Sequence, residues 1–180
     1  GLLTPTSGKI FMFGKDILSL STKEQVELRR KIGMCFQNSA LFNSMTVGEN
    51  VALPIKEHTK LAESTIEIMA KIKLDLVGLN GCYNMYPSQL SGGMKKRAGI
   101  ARAMALDPEI IFYDEPSSGL DPIVAAGLDQ LIRKMQSTFG LTSVVVTHDL
   151  ESVKIIADRI CVLHNGKILT IGTIKELERS

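Results

Sequence analysis

The sequence predicts an α/β fold that is organised around a parallel sheet. Two continuous apolar runs, at 110–113 and 143–147, are typical of strands that are covered on both faces. Between them Asp121 and Pro122 form an N-cap and a first helical residue, and the helix that follows is long enough to cross the sheet. A strand, a crossover helix and a second strand form a βαβ unit, so the two strands are expected to run parallel.

The other elements follow from periodicity and turn signals. Short strands are predicted at 9–13 and 32–36, helices at 45–57, 63–77, 91–106 and 149–157, and a last helix from about residue 173. Asn165 and Gly166 separate two further strands, 159–163 and 167–171, and predict a tight hairpin. Core positions are expected at Ile66, Met69, Ile72 and Leu76, at Met94, Ala98, Ala101 and Ala105, and at Val124, Leu128, Leu131 and Met135.

Length and composition favour a single folded domain. The 180 residues match the usual domain size of about 100 to 200, and 44% of them are hydrophobic. With a net charge of +2, no Trp and three Tyr, the chain offers little to a nucleic acid, and no such partner is expected. No apolar run approaches the ~18 residues of a membrane span, so membrane association is expected to come through a partner.

Polar residues that could perform chemistry follow three predicted strands. They are Gln37, the pair Asp114 and Glu115, and His148, and in α/β sheets such residues gather at the carboxyl ends of the strands. Asp114 is suited to Mg²⁺, and Glu115 could deprotonate an attacking water. Taken singly, an acidic pair also begins turns, and a lone histidine is more often structural.

A second candidate site opens the helix at 91–106. Ser91, Gly92 and Gly93 would bring backbone N–H groups and the positive end of a helix close to an anion. A plain capped turn explains these three residues equally well in isolation. Their order relative to Gln37, to the acidic pair and to His148 is more specific than any one of them.

That ordered set resembles the ATP-binding subunit of ABC transporters. Gln37 is similar to the Q-loop glutamine, 90–94 to the signature motif, 110–115 to the Walker B strand, 118–121 to the D-loop and His148 to the switch histidine. The resemblance implies a P-loop NTPase-like α/β domain spanning 1–180. Within it, a helical signature subdomain is expected at about 38–105, and a RecA-like core is expected to comprise 1–37 and 106–180.

The resemblance also implies roles, with ATP and Mg²⁺ as cofactors. Asp114 and Gln37 would hold the metal, Glu115 would be the general base, and Gln37 and His148 would contact the γ-phosphate or the attacking water. The resemblance also implies a head-to-tail dimer. In it, nucleotide bound to a second ATPase subunit would contact four residues of this chain: Ser91, Gly92, Gly93 and Asp121.

One family motif does not occur in these residues. No G-x-x-x-x-G-K-[ST] phosphate loop is present, and the resemblance places it, with its strand and helix, before Gly1. The aromatic residue that stacks on adenine would also lie upstream. The expectation is therefore an N-terminally truncated chain that alone neither binds ATP tightly nor hydrolyses it.

The segment that follows Gln37 resembles one branch of the family. Residues 36–42, 45–47, 49–54 and 57–59 are similar to ATPases that power phospholipid movement in bacterial envelopes, of the maintenance-of-lipid-asymmetry type. This implies a transmembrane permease partner, received near the Q-loop, and a peripheral position on the cytoplasmic face of the bacterial inner membrane. Two alternatives stay open. One is a soluble ABC ATPase, which would need either long coiled-coil arms between 37 and 90 or a second cassette with a charged linker, and the other is a noncatalytic remnant or interaction module.

Overall fold

A parallel three-stranded sheet lies at the centre of the fold. The computed structural model describes residues 3–178, so the first two and last two residues of the predicted domain lie outside the described part. In chain order the elements are β1 Phe11–Met12, β2 Lys15–Asp16, α1 Thr22–Arg30, β3 Ile32–Cys35, α2 Val47–His58, α3 Glu63–Leu76, α4 Gly92–Ala103, β4 Ile110–Asp114, α5 Pro122–Phe139, β5 Thr142–Val146, α6 Leu150–Ile156, β6 Ile160–His164, β7 Lys167–Gly172 and α7 Ile174–Leu177.

The sheet has the order β3–β4–β5, and both pairs are parallel. In the shared register Cys35 lies beside Tyr113, and Tyr113 lies beside Val145. The crossover helix α5 begins as predicted, because Asp121 accepts hydrogen bonds from the N–H groups of Ile123 and Val124. The predicted βαβ unit is therefore confirmed, and all three strands end at one edge of the sheet.

The predicted hairpin near the C-terminus is also confirmed. Strands β6 and β7 pair antiparallel around Asn165 and Gly166, whose φ angles are +48° and +73°. Positive φ at both central residues is what a type I′ turn requires.

Three expectations about burial are wrong. Ile72 is 52% exposed and Val124 37% exposed, although both fit the helical period of core positions. The strand β5 is not covered on both faces, since Val144 and Val146 are 42% and 60% exposed while the alternate side chains are partly buried. The spacing of apolar residues marks a face but does not supply the surface that covers it.

Two elements were absent from the sequence-based assignment. The two-residue strands β1 and β2 form a hairpin in place of one strand at 9–13. Helix α1 follows Ser21, whose hydroxyl accepts from the N–H of Glu24 while the Glu24 carboxylate accepts from the N–H of Ser21. That reciprocal capping box is readable as S-x-x-E in the sequence and could have located the helix.

The helices α2, α3 and α4 pack together on one side of the core. Tyr83, in the segment between α3 and α4, lies against Gly48 of α2 so closely that a Cβ added at Gly48 would be 2.4 Å from the ring. The side chains of α2 that fill this region are fully or almost fully buried: Val47, Val51, Ala52 and Ile55. Between Gln37 and Leu90 the described chain contains two α-helices of 12 and 14 residues and no long coiled-coil arm.

Asn50 is a buried amide that connects α2 to the loop preceding it. It is fully buried, its Oδ1 accepts from the N–H of Phe42 at 2.7 Å, and its Nδ2 lies 3.0 Å from the carbonyl oxygen of Phe42. The same Nδ2 lies 2.9 Å from the carbonyl oxygen of Thr46 and 3.3 Å from that of Met45. The Asn50 side chain therefore holds the shape of the loop 42–46.

Replacing Asn50 with Ala is expected to lower the free energy of unfolding by about 2 to 4 kcal/mol, because buried backbone groups lose their partners. Urea denaturation followed by circular dichroism measures this loss. Asn43→Ala, at an exposed position of the same loop, is the matched control and should change stability by about 0.5 kcal/mol or less. Equal losses in the two variants would contradict the role given to Asn50.

Candidate functional site

The structure brings the residues that follow the three parallel strands to one edge of the sheet. Gln37 lies two residues after β3, Asp114 is the last residue of β4, and Glu115 follows it directly. His148 lies two residues after β5. Because the strands are parallel and in register, their carboxyl ends are adjacent, as the sequence predicted.

Glu115 and His148 are in direct contact. The Nδ1 of His148 lies 2.8 Å from Oε1 of Glu115, and the Thr147 hydroxyl lies 3.5 Å from Oε2. The Glu115 side chain is 19% exposed and the imidazole is 83% exposed. The hydrogen bond to Glu115, followed by the charge of that carboxylate, raises the pKa of His148 above its ordinary value. The contact therefore favours a protonated imidazole that donates to the carboxylate.

The backbone of Glu115 is strained. Its φ of +45° is in the left-handed region, which non-glycine residues seldom occupy. Its N–H donates to the carbonyl oxygen of Val146 at 2.9 Å, and its own carbonyl oxygen accepts from Lys96 at 3.1 Å. These bonds hold the residue between β5 on one side and α4 on the other.

Two cations of α4 hold the loops at this edge. Lys96 donates to the carbonyl oxygens of Gln37, at 2.5 Å, and of Glu115. Arg102 donates to the carbonyl oxygens of Ser39 and Ala40, both at 2.7 Å. Burial lowers the pKa of Lys96, and the charges of the nearby acids oppose this effect. One helix thus fixes the position of the segment that contains Gln37 relative to Glu115.

Sequence reasoning missed Lys96 and Arg102. Attention to the small residues of the helix identified its buried face, where Ala98 and Ala101 are fully buried. Both cations lie on the same helix, and each binds backbone carbonyl groups about 60 residues away in the chain. Hydrogen bonds between a side chain and a distant backbone carbonyl leave no periodic pattern in a sequence.

The second candidate site lies at the N-terminal ends of α4 and α5. Ser91 caps α4 by accepting from the N–H of Met94 at 3.3 Å, and Asp121 caps α5. A Cβ added at Gly93 would be 2.6 Å from a methyl carbon of Val124, so a larger residue at this position would displace the Val124 side chain. Ser91, Gly92 and Asp121 are exposed and are therefore open to a second molecule.

The side chains at the sheet edge suit a metal ion that takes only some of its ligands from the protein. Within residues 3–178 no cluster of three or more His, Cys, Asp or Glu side chains could hold a metal unaided. Magnesium bound with a nucleotide needs only one or two carboxylates, since phosphate oxygens and water complete its shell. Asp114, half-buried at the end of β4, could provide one such carboxylate. None of the described helices is both long and apolar enough to span a bilayer.

Comparison with known sequences gives consistent matches. A family profile described as "ABC transporter" matches residues 1–118. The "Intermembrane phospholipid transport system ATP-binding protein MlaF" of Haemophilus influenzae is 44% identical over 180 residues, which is the whole chain and 68% of that protein. The "Probable ribonucleotide transport ATP-binding protein mkl" of Mycobacterium leprae is 44% identical over 172 residues, 96% of the chain and 50% of that protein.

Solved structures match the fold at similar coverage. The dimeric ATP-binding cassette MJ0796, in a post-hydrolysis state bound to ADP and Pi, superposes with a TM-score of 0.85 at 33% identity. That match covers 96% of the chain and 76% of the cassette. The cbiO1 protein of Clostridium perfringens, part of the ABC transporter complex cbiONQ, gives a TM-score of 0.89 at 31% identity, covering 99% of the chain and 71% of cbiO1.

Glu115→Gln is expected to lower the pKa of His148 toward its ordinary value near 6.5, because the amide carries no charge. The contact raises the pKa of the folded state, so it stabilises fully below about pH 6.5 and is lost as pH rises through the raised value. A histidine NMR titration measures this change. Glu151→Gln, on α6 beside Lys154, is the control, and a His148 titration unchanged by Glu115→Gln would contradict the contact.

Proposed function

The chain belongs to the ABC transporter family of ATPases, and on this basis we propose that it forms most of the energy-coupling subunit of a phospholipid transporter. The observation that carries the proposal is the contact between Glu115 and His148 at the edge where Asp114 ends β4 and Gln37 follows β3. The helices α2 to α4 would form the helical subdomain at about 38–105. The residues 1–37 and 106–180 would form the nucleotide-binding core.

Each residue at the sheet edge would have a separate task in ATP hydrolysis. Asp114 and Gln37 would hold magnesium, which would supply positive charge to the phosphates. Glu115 would accept the proton of the attacking water, since its carboxylate lies at the edge and is mostly shielded from solvent. His148, held by that carboxylate, would contact the γ-phosphate from the exposed side.

The second site would act on nucleotide held by another subunit. The backbone N–H groups at Ser91, Gly92 and Gly93 begin a 12-residue helix, whose positive end favours phosphate. Asp121 lies at the neighbouring helix end, and Leu120 before it approaches Gly92. The exposure of this surface supports a head-to-tail dimer, and the MJ0796 cassette has been solved as a dimer.

We further propose that these 180 residues alone neither bind ATP tightly nor hydrolyse it. No phosphate loop motif occurs among them. Binding between millimolar and micromolar represents roughly 4 to 8 kcal/mol. Three charge-assisted hydrogen bonds at about 1.5 to 3 kcal/mol each are of the same size, so their loss would remove most of the affinity.

Calorimetric titration of the 180-residue chain with Mg-ATP is expected to give a Kd weaker than about 1 mM, and a phosphate-release assay should detect no turnover. The full-length Haemophilus influenzae relative serves as the positive control for both assays. Turnover that disappears in Glu115→Gln, or specific binding below about 1 mM, would contradict the proposed inactivity of the isolated chain.

A groove beside the Q-loop segment is the proposed docking site for the permease. It has a volume of about 410 Å³ and is lined by β3 and the segment after it, by the second half of α2 and by the C-terminal end of α4. Phe36 and Phe42, both in the lining, are 39% and 51% exposed. Exposed aromatic rings of this kind suit an apolar helix from a membrane partner. The full protein would then sit at the cytoplasmic face of the bacterial inner membrane.

Phe42→Asp is expected to reduce capture of the chain by its co-expressed permease at least about tenfold, because a charge replaces an apolar contact. Ile68→Asp, at a 59% exposed position on α3, is the matched control and should leave capture unchanged. Glu49 is unsuitable as a probe because its carboxylate caps α2 by accepting from the N–H of Thr46. Equal capture of both variants would exclude this groove as the docking site.

Phospholipid is the proposed cargo in preference to a nucleotide. Relatives named for phospholipid and for ribonucleotide transport are equally identical, at 44%. The resemblance of 36–59 to the lipid branch supports the first, and the Escherichia coli phospholipid relative, 41% identical, is matched over 99% of the chain.

A further inference from the structure

A cluster of four polar side chains, three of them buried and the fourth, Asp149, partly buried, lies behind the contact between Glu115 and His148. We name it the Asp129 cluster, and it consists of Ser117, Asp129, Asp149 and Ser152. Asp129 on α5 and Ser152 on α6 are each 1% exposed, and Ser117, in the loop after β4, is 7% exposed. The cluster therefore joins three elements that are distant in sequence.

The hydrogen bonds in the cluster have a direction. Ser152 has a single hydroxyl proton, and its Oγ lies 2.7 Å from Oδ2 of Asp129 and 3.2 Å from Oδ2 of Asp149. Donation to the nearer carboxylate leaves the Ser152 oxygen free to accept from the Ser117 hydroxyl, 3.1 Å away. The chain of bonds thus runs from Ser117 through Ser152 to Asp129.

Asp129 places a carboxylate in an otherwise apolar part of the core. Its neighbours on the inner face of α5 are apolar, with Leu128 1% exposed and Ile132 fully buried. Its Oδ1 is buried and has no hydrogen-bond partner within residues 3–178. Burial raises the pKa of Asp129, and the bond from Ser152 opposes this effect. An apolar side chain would avoid the desolvation of a carboxylate, so stability alone does not explain this residue.

Two members of the cluster, Ser117 and Asp149, are close in sequence to Glu115 and His148. Ser117 follows Glu115 by two positions, and Asp149 follows His148 directly and caps α6. Ser152 is the third residue of α6, within its first turn, so its bonds hold the start of that helix. Asp129 belongs neither to the loop of Ser117 nor to α6. Its hydrogen bond with Ser152 connects it to both.

We propose that Asp129 is a positioning residue that, through Ser152, holds the Glu115 loop and the start of α6 at the separation that lets Glu115 and His148 meet. Its importance for catalysis rests on the proposed function of that pair. The geometric claim stands without nucleotide and can be tested in the chain as it is.

The test is the His148 signal in a histidine NMR titration, since the chain has only three histidines. Ser152→Ala and Asp129→Leu are each expected to lower the pKa of His148 toward its ordinary value, because the contact with Glu115 loosens. The double variant should move it no further than either single variant. Asp129→Asn keeps an oxygen that accepts from Ser152 and should retain most of the raised value.

Ile132→Ala is the control, because it creates a cavity on the same helix and Ile132 makes none of the hydrogen bonds of the cluster. Its stability loss is measured by urea denaturation beside the other variants, and it should leave the His148 titration unchanged. Folded Ser152→Ala protein with an unchanged His148 would overturn the proposal, and so would an equal effect of Ile132→Ala. If Asp129→Leu does not fold, Ser152→Ala alone decides the matter.

These outcomes are separate from those of the ATP experiments. The titration contains no nucleotide, so a failed positioning role leaves the proposed ATPase chemistry in place. An inactive site with a normal response of His148 to Ser152→Ala would instead count against the function and not against the positioning.

Discussion

The parallel register of β3, β4 and β5 is the constraint on which the candidate site depends. Gln37, Glu115 and His148 are far apart in sequence, and each follows a different strand. Parallel pairing places the ends of all three strands at one edge, so the residues that follow them become neighbours. An antiparallel partner at any of these positions would send one of the three residues to the opposite edge.

Helix α4 fixes the positions of the loops at this edge relative to one another. Its small residues, with Ala98 and Ala101 fully buried, allow it to lie close against the core. Lys96 and Arg102 bind the carbonyl groups of the loops at the sheet edge, while Ser91 at its N-terminus remains exposed. A single helix therefore connects the sheet edge that contains the candidate site with the surface proposed to meet a second molecule.

Much of this arrangement could be read from the sequence, and the exceptions share a cause. The βαβ unit, the cap at Asp121 and the turn at Asn165 depend on local residue types, and the structure confirms them. The bonds of Lys96 and Asp129 join segments that are far apart in sequence and meet only after folding. Ile72 shows the converse, since a helical period is the same whether or not a neighbour covers it.

Strain and hydrogen bonding at the sheet edge are linked through the same helix. Ser39, Ala40 and Glu115 all have positive φ, which costs about 1 to 2 kcal/mol for each non-glycine residue. The carbonyl group of each one accepts from a cation of α4. Such bonds contribute about 1.5 to 3 kcal/mol when buried, and less at partly exposed positions, which is enough to offset the strain. Since both loops depend on α4 for their conformation, a displacement of that helix would move the Gln37 segment and Glu115 together.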